Sequence, residues 1–248
     1  MKAIILAAGK GTRLNGVELK PKCLFEVGGV TLLQRQMSAI EEARIDQIVL
    51  VLGFEAERIK RHCGPNVEFV INERFGETSS LYSLWLAKEH LTDGFVVLNC
   101  DVLFHPELLT RLLTAPHADG LLVDLVDKQN NHLGDEEMKV KVSEGRVVDI
   151  NKSMNPAEAD GENVGMVKFS REGARRLIAE MDRLISSGEC DRDWAPRAFR
   201  EFALRYPLHA ISTDNYPWIE IDFPEDYSRA QEEVFPRINA MVPAPAVK

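Results

Sequence analysis

Through the first 116 residues, unbroken apolar runs alternate with amphipathic segments, and few architectures can accommodate that rhythm. Lys2–Ala7, Gln47–Leu52 and Phe95–Leu98 are apolar runs of strand length, and Val67–Ile71 is a further strand. Between them, Thr31–Ala43 places Leu32, Leu33, Met37 and Ile40 at helical spacing. Glu55–Arg61 reads as a short helix and His105–Leu113 as another. Ser79–His90 carries Leu81, Leu84 and Trp85 on one stripe that Leu91 continues, with Ser79 as its N-cap. Strands that are apolar on both faces and joined by helices form a largely parallel sheet covered on both sides. Ligands of such sheets sit at the carboxyl ends of the strands. The small-residue loop after Ala7 and the carboxylate of Asp101 both fall there.

After residue 117 the rhythm changes. Gly120–Val126, Glu137–Val142, Arg146–Ile150 and Val164–Phe169 are strand-like, and Ser143-Glu144-Gly145 reads as a hairpin turn. Glu172–Ile185, Asp193–Ala203 and Pro224–Phe235 read as helices, and the segment 236–248 as a frayed tail. There is no internal repeat and no long linker. With 248 residues and 45% apolar content, the chain can bury one sizeable core. The expectation is a single α/β domain over 1–235, with a small α+β elaboration in its second half.

The net charge of −9 argues against a sequence-independent grip on nucleic acid or an anionic membrane, which needs a basic face. A local cationic pocket remains compatible with it. No apolar run approaches the roughly 20 residues of a membrane span, and Ala3–Leu6 is too short for the core of a signal peptide. A cytoplasmic protein is expected. Cys23, Cys63, Cys100 and Cys190 form no CxxC pair and no zinc-spaced cluster with histidine, so they read as small, reduced, buried thiols.

Four segments carry chemistry. Leu6-Ala7-Ala8-Gly9-Lys10-Gly11-Thr12-Arg13-Leu14 joins small residues, which let backbone approach a ligand, to two cations. It is neither GxxxxGK[ST] nor GxGxxG. Lys20-Pro21-Lys22 sets a lysine after a rigid proline, placed to neutralise a phosphoryl group. Asp101 follows a buried strand, where a carboxylate can hold Mg²⁺. In Trp218-Ile219-Glu220-Ile221-Asp222, alternation puts Glu220 and Asp222 on one face, which suggests a cation. Taken singly, each has a plainer reading: a tight turn, a surface lysine, a capping aspartate, a solvated strand face.

Together these segments resemble the nucleotidyltransferases that join a nucleoside triphosphate to a phosphorylated small molecule, over nearly the whole chain. The resemblance implies a Rossmann-like three-layer α/β/α sandwich with a predominantly parallel mixed sheet. It also implies a nucleotide-binding half over 1–116 and an acceptor-binding half over 117–235. The finer likeness is to bacterial cytidylyltransferases acting on phosphocholine, 2-aminoethylphosphonate and related compounds. It rests on Thr78–Leu84, Gly134-Asp135-Glu136, Val148–Lys152, Glu162–Gly165 and the closing Trp218–Asp222. Relatives acting on sugar phosphates often continue with Pro-Leu-Thr where this chain has Asn15-Gly16-Val17-Glu18-Leu19, which weighs against a sugar phosphate.

Roles follow from the resemblance. Leu6, Ala7, Ala8, Gly9, Lys10, Gly11, Thr12 and Arg13 would wrap the triphosphate, with Arg13 also countering reacting charge. Lys22 would bridge the α-phosphate and the incoming oxygen. Thr78 and Ser79 would contact base or ribose, and Asp101 and Asp222 would hold Mg²⁺. Lys152 would meet the acceptor phosphate. Glu162 and Glu220 would face the acceptor's cationic end or a second metal shell. Tyr82 and Trp194 are aromatic candidates for an ammonium group, against a plainer role in packing. The expected partners are CTP and a small phosphate or phosphonate acceptor, with homodimer assembly left open. A sugar-1-phosphate or inositol-phosphate transferase, and a nucleotide-binding regulatory module without turnover, are the alternatives.

Overall fold

The structure is a computed structural model that describes residues 1–14, 20–127, 133–188 and 191–241. Residues 15–19 and Cys190, considered above, lie outside the described residues.

The apolar runs pair as their composition requires. Nine strands form one sheet in the spatial order Val67–Ile71, Ile48–Leu52, Lys2–Ala7, Phe95–Asn99, Gly161–Phe169, Gly120–Leu125, His209–Ser212, Arg146–Asn151 and Lys139–Ser143. The first four are mutually parallel, with Ile5 opposite Leu50 on one side and Leu98 on the other. Gly161–Phe169 and Arg146–Asn151 run against all their neighbours, while His209–Ser212 lies parallel to Gly120–Leu125. The sheet is therefore mixed, with most strands sharing one direction. Its far end curls back: Gly161 and Glu162 also pair with Val140 and Lys139.

Alternation along the strands builds the layers. Ile4 and Leu6 face Leu81, Leu84, Leu177 and Phe199 on one side. Ala3, Ile5 and Ala7 face Leu33, Ile40, Leu108 and Leu112 on the other. A continuous apolar strand thus feeds two cores, one under each helical layer. A third, smaller core joins Leu14, Phe25, Leu103, Ile219, Ile221, Val234 and Ile238 beside the strand ends. It packs a hairpin at Glu26–Val27 and Val30–Thr31, and a two-stranded ribbon of Val102–Phe104 with Trp218–Glu220.

Several local expectations are corrected. Ser79 stands at the N-cap of the helix Ser80–Leu86, but its side chain makes no capping bond. The capping box forms instead at Thr31, whose hydroxyl accepts from Gln34 N–H while the Gln34 side chain accepts from Thr31 N–H. The helix expected from Asp193 begins at Pro196, and a proline suits a first turn because its missing N–H has no partner there. The chain past Pro236 is helical through Met241, not frayed from 236. A widened π turn at Ala230–Val234 precedes that proline, and Ile238 anchors the continuation in the third core. The short strands Val102–Phe104 and His209–Ser212 were not expected from the sequence, the first because a run of three apolar residues is too short to single out a strand.

Aromatic packing concentrates under one helical layer. Phe169 is fully buried, with its ring 5.4 Å from Phe95, 5.0 Å from Phe202 and 5.8 Å from Phe199. Phe169→Ala leaves a cavity among three rings and is expected to lower the unfolding free energy by about 3–5 kcal/mol. Urea denaturation followed by circular dichroism measures it.

Candidate active site

The site lies beyond the carboxyl ends of the central strands and is assembled from stretches far apart in sequence. Lys2–Ala7 delivers the glycine loop, and Phe95–Asn99 delivers Asp101. The ribbon pairs Glu220 with Val102, and Ile221 N–H donates to the Asp101 carbonyl at 3.0 Å. That register carries Glu220 and Asp222 to Asp101. The strand itself ends at Glu220, so strand alternation alone does not align the two carboxylates. Asp222 N–H and Phe223 N–H both donate to Asp226 Oδ2, at 3.1 and 2.9 Å, which holds the turn after the strand.

Carboxylate oxygens of Asp101, Glu220 and Asp222 lie within 4.8 Å of one another. Lys22 reaches between two of them. Its Nζ donates to Asp101 Oδ2 at 3.0 Å and to Asp222 Oδ1. Gly11 makes room for this lysine: it sits at φ +60°, and a Cβ there would fall 2.7 Å from Lys22 Cγ. Arg13 pairs with Asp222 Oδ2 at 2.9 Å and with Glu136 at 3.3 Å.

The electrostatics follow from this crowding. Burial pulls the Lys22 ammonium toward losing its proton, but the charges and hydrogen bonds of Asp101 and Asp222 outweigh burial and hold its pKa above the usual lysine value. Burial pushes Asp222 up, and the charge of Lys22 reverses that, leaving it below the usual carboxylate range. At Glu220 the charge of Lys22 gives only partial relief: burial, then the charges of Asp101 and Asp222, outweigh it and push the carboxyl up to about 8. Sequence reasoning left Glu220 between the acceptor's cationic end and a second metal shell. The fold places it beside the two aspartates, as a third oxygen donor. An all-oxygen set of this kind suits a hard divalent cation such as Mg²⁺, whose other positions water and phosphate can fill.

One cavity of about 310 Å³ gathers most of the expected residues. Leu6, Ala8, Gly9, Gly11, Arg13 and Lys22 line one wall, and Thr78 and Ser79 another. Lys152 and Trp194 stand with Asp101, Glu220 and Asp222 around the rest. The Thr78 hydroxyl accepts from Asn72 Nδ2 at 3.0 Å and donates to the Arg74 carbonyl at 2.9 Å, so its position is fixed. Lys152 Nζ lies 3.5 Å from Glu136 and 4.9 Å from the centre of the Trp194 ring, which is 48% exposed.

Among the expected residues whose side chains are described, four do not line the cavity. Ala7 is buried in the sheet, and the Lys10 ammonium lies 5.5 Å over the Phe75 ring. Tyr82 packs on Trp85 with the Arg74 guanidinium 5.0 Å over its ring. Glu162 lies behind the wall, in register with Asp124 and Lys139. Burial, then the charges of Glu137 and Asp124, push its carboxyl up to about 8. Thr12 opens the short turn Thr12–Leu14 that leads into Arg13.

Two side chains that sequence reasoning passed over hold the site in shape. Gln36 Nε2 donates to the carbonyls of Asn99 and Val102, both at 2.9 Å, and so pins the turn that carries Asp101. Its Oε1 is buried without a partner, a cost that a well-packed apolar residue would not incur. The signal was readable: Gln36 interrupts the stripe of Leu32, Leu33 and Ile40. Asn72 is the second, bonding Thr78 and also Ser83 Oγ at 3.0 Å. The thiols of Cys23, Cys63 and Cys100 are free. A hydrogen bond with Cys23, then burial, push the Cys100 thiol up, and burial pushes Cys63 up to about 11, so neither is an activated nucleophile. Among the described residues, no helix is long and apolar enough to cross a membrane.

The model of the MobA-like NTP transferase domain matches residues 3–184. A bifunctional IPC transferase and DIPP synthase of Aquifex aeolicus is 29% identical over 93% of this chain. The chain spans about half the length of that relative and of the relatives most like it. The choline-phosphate cytidylyltransferase of Streptococcus pneumoniae is 25% identical over 94% of this chain and 97% of its own. The CTP:phosphoglutamine cytidylyltransferase of Campylobacter jejuni is 25% identical over 91% and 97%. Among solved structures, the S. pneumoniae CTP:phosphocholine cytidylyltransferase superposes with a TM-score of 0.77 at 23% identity, covering 93% of this chain and 97% of that one. The inositol-1-phosphate CTP transferase of T. maritima gives 0.73 at 22% identity, covering 94% and 97%. With the family model spanning most of the chain and the fold matched end to end, this protein belongs to the MobA-like NTP transferase family.

Proposed function

We propose that this chain is a Mg²⁺-dependent cytidylyltransferase that joins CTP to a small phosphate or phosphonate acceptor, such as phosphocholine or 2-aminoethylphosphonate, and releases pyrophosphate. The observation that supports it most is the placement of Asp101, Glu220, Asp222 and Lys22 in one cavity with the glycine loop. Two cytidylyltransferases matched over almost their full length support the base and the class of acceptor.

An acceptor oxygen attacks the α-phosphorus of CTP, the new P–O bond forms, and the bond to pyrophosphate breaks in line with it. The acceptor oxygen is already ionised at neutral pH, so no general base is required. The difficulty is charge. Like charges about 4 Å apart at an effective dielectric near 20 repel by roughly 4 kcal/mol. Lys22 and Arg13 stand where they can offset that repulsion at the triphosphate, and Lys152 where it can meet the acceptor. Mg²⁺ held by Asp101 and Asp222, with Glu220 beside them, would supply further neutralisation across the phosphates. Lys152 lying over Trp194 gives the indole a second use, as the platform that aims this ammonium.

A second reading, transfer to inositol phosphate or a sugar 1-phosphate, is favoured by the fold match to the T. maritima enzyme. Pyrophosphate release, with each acceptor tested against CTP, UTP, GTP and ATP, separates the two. The expected result is CTP with an acceptor that carries an ammonium group; equal turnover of a neutral sugar 1-phosphate would remove the basis for a cationic acceptor. Asp101→Asn is expected to abolish turnover with the circular dichroism spectrum and melting temperature little changed, and near-normal turnover would defeat its metal role. Lys22→Ala is expected to lower kcat about 10²–10³-fold, the usual cost of losing one charge contact in a transition state. EDTA is expected to stop the reaction and excess Mg²⁺ to restore it.

A further inference from the structure

The two aspartates offer four oxygens, and among the described residues cations of the chain itself already engage three. Lys22 Nζ takes Asp101 Oδ2 and Asp222 Oδ1, and Arg13 takes Asp222 Oδ2. The Lys22 side chain is only 12% exposed, so solvent screens this contact weakly. Its stem runs past Gly11, where no side chain blocks it, and it borders the cavity, so rotation about its own bonds can redirect the ammonium without moving backbone.

From these contacts we infer that Lys22 occupies the divalent-cation seat in the nucleotide-free protein, so that the ion enters together with the triphosphate and not before it. This rests on reading the three carboxylates as a metal site. An ion arriving alone must displace an ammonium and a guanidinium from the oxygens it needs, and leaves the Lys22 ammonium without an anion and the Arg13 guanidinium with Glu136 alone. An ion arriving with a triphosphate brings the anions those groups can turn to. The same lysine then acts twice: it neutralises the converging carboxylates before nucleotide binds, and the phosphates afterwards. The contacts thereby couple ion binding to nucleotide binding, and by reciprocity each tightens the other.

The test is Mn²⁺ binding to the full chain without nucleotide, with free Mn²⁺ read from its electron paramagnetic resonance signal. Lys22→Met is expected to bind Mn²⁺ at least tenfold more tightly than the unmodified protein, although it removes a residue needed for turnover. Adding Asp101→Asn to that variant is expected to abolish the gain. A folded Lys22→Met protein that binds Mn²⁺ no more tightly than the unmodified one overturns the inference and leaves the metal site standing. A gain that survives Asp101→Asn places the ion elsewhere and removes both. Should Lys22→Met fail to fold, the unmodified protein labelled with ¹³C-lysine serves. The Lys22 Cε resonance is expected to move with CTP and Mg²⁺ together but not with millimolar Mg²⁺ alone, and the same movement with Mg²⁺ alone overturns the inference.

Discussion

Carboxylates brought this close cannot share one end of a sheet unless something positive stands between them. Asp101, Glu220 and Asp222 meet because the ribbon of Val102–Phe104 and Trp218–Glu220 forces them together, and Lys22 is what makes that pairing tolerable. The local stability of the site and its chemistry are therefore linked through one ammonium. At Glu220, to which Lys22 makes no hydrogen bond, burial and the two aspartate charges outweigh the lysine and the carboxyl pKa rises. Burial is the larger cause of that rise and the charges of Asp101 and Asp222 add to it, and a bound cation would oppose both.

The architecture explains how distant segments are aimed at that point. Parallel strands end on one side, and their loops emerge side by side. The antiparallel strand Gly161–Phe169 breaks the parallel run beside Phe95–Asn99, and the sheet then curls until Glu162 pairs with Lys139. That curl brings the second half of the chain round to face the glycine loop. Glu136 marks the junction, within 3.3 Å of Arg13 on the nucleotide side and 3.5 Å of Lys152 on the other.

Much of this was legible in the residues. The apolar runs showed the central strands, and the loop Leu6–Arg13 and Asp101 stood out because both follow such runs. The nearness of Asp101 to Asp222 was readable only through family likeness, because a pairing between segments so far apart leaves no local pattern. Gln36 was missed although its break in an apolar stripe was plain, since a buried amide has no motif of its own. Tyr82 was misplaced for a related reason. It follows the nucleotide-side segment Thr78–Ser80, but one residue along a helix turns a side chain by about 100°, and its ring packs on Trp85.

The overall charge is a poor guide to such a site. A chain with net charge −9 is read here as a binder of two polyanions. Exposed charges more than about 8–10 Å away are largely screened at physiological ionic strength, whereas groups within a cavity are not. Local arrangement decides, and here the cations Arg13, Lys22 and Lys152 border one cavity with the carboxylates that hold them. Those carboxylates keep the cations ordered and prevent the cavity from becoming a general trap for anions. A ligand must offer more than negative charge, because it has to replace internal ion pairs that are already made. A triphosphate accompanied by a divalent ion would meet that condition at both ends: its oxygens would take the place of the aspartates for Lys22 and Arg13, and Asp101 and Asp222 would hold the ion in place of those two cations. Inorganic phosphate or a lone metal ion meets only half of it.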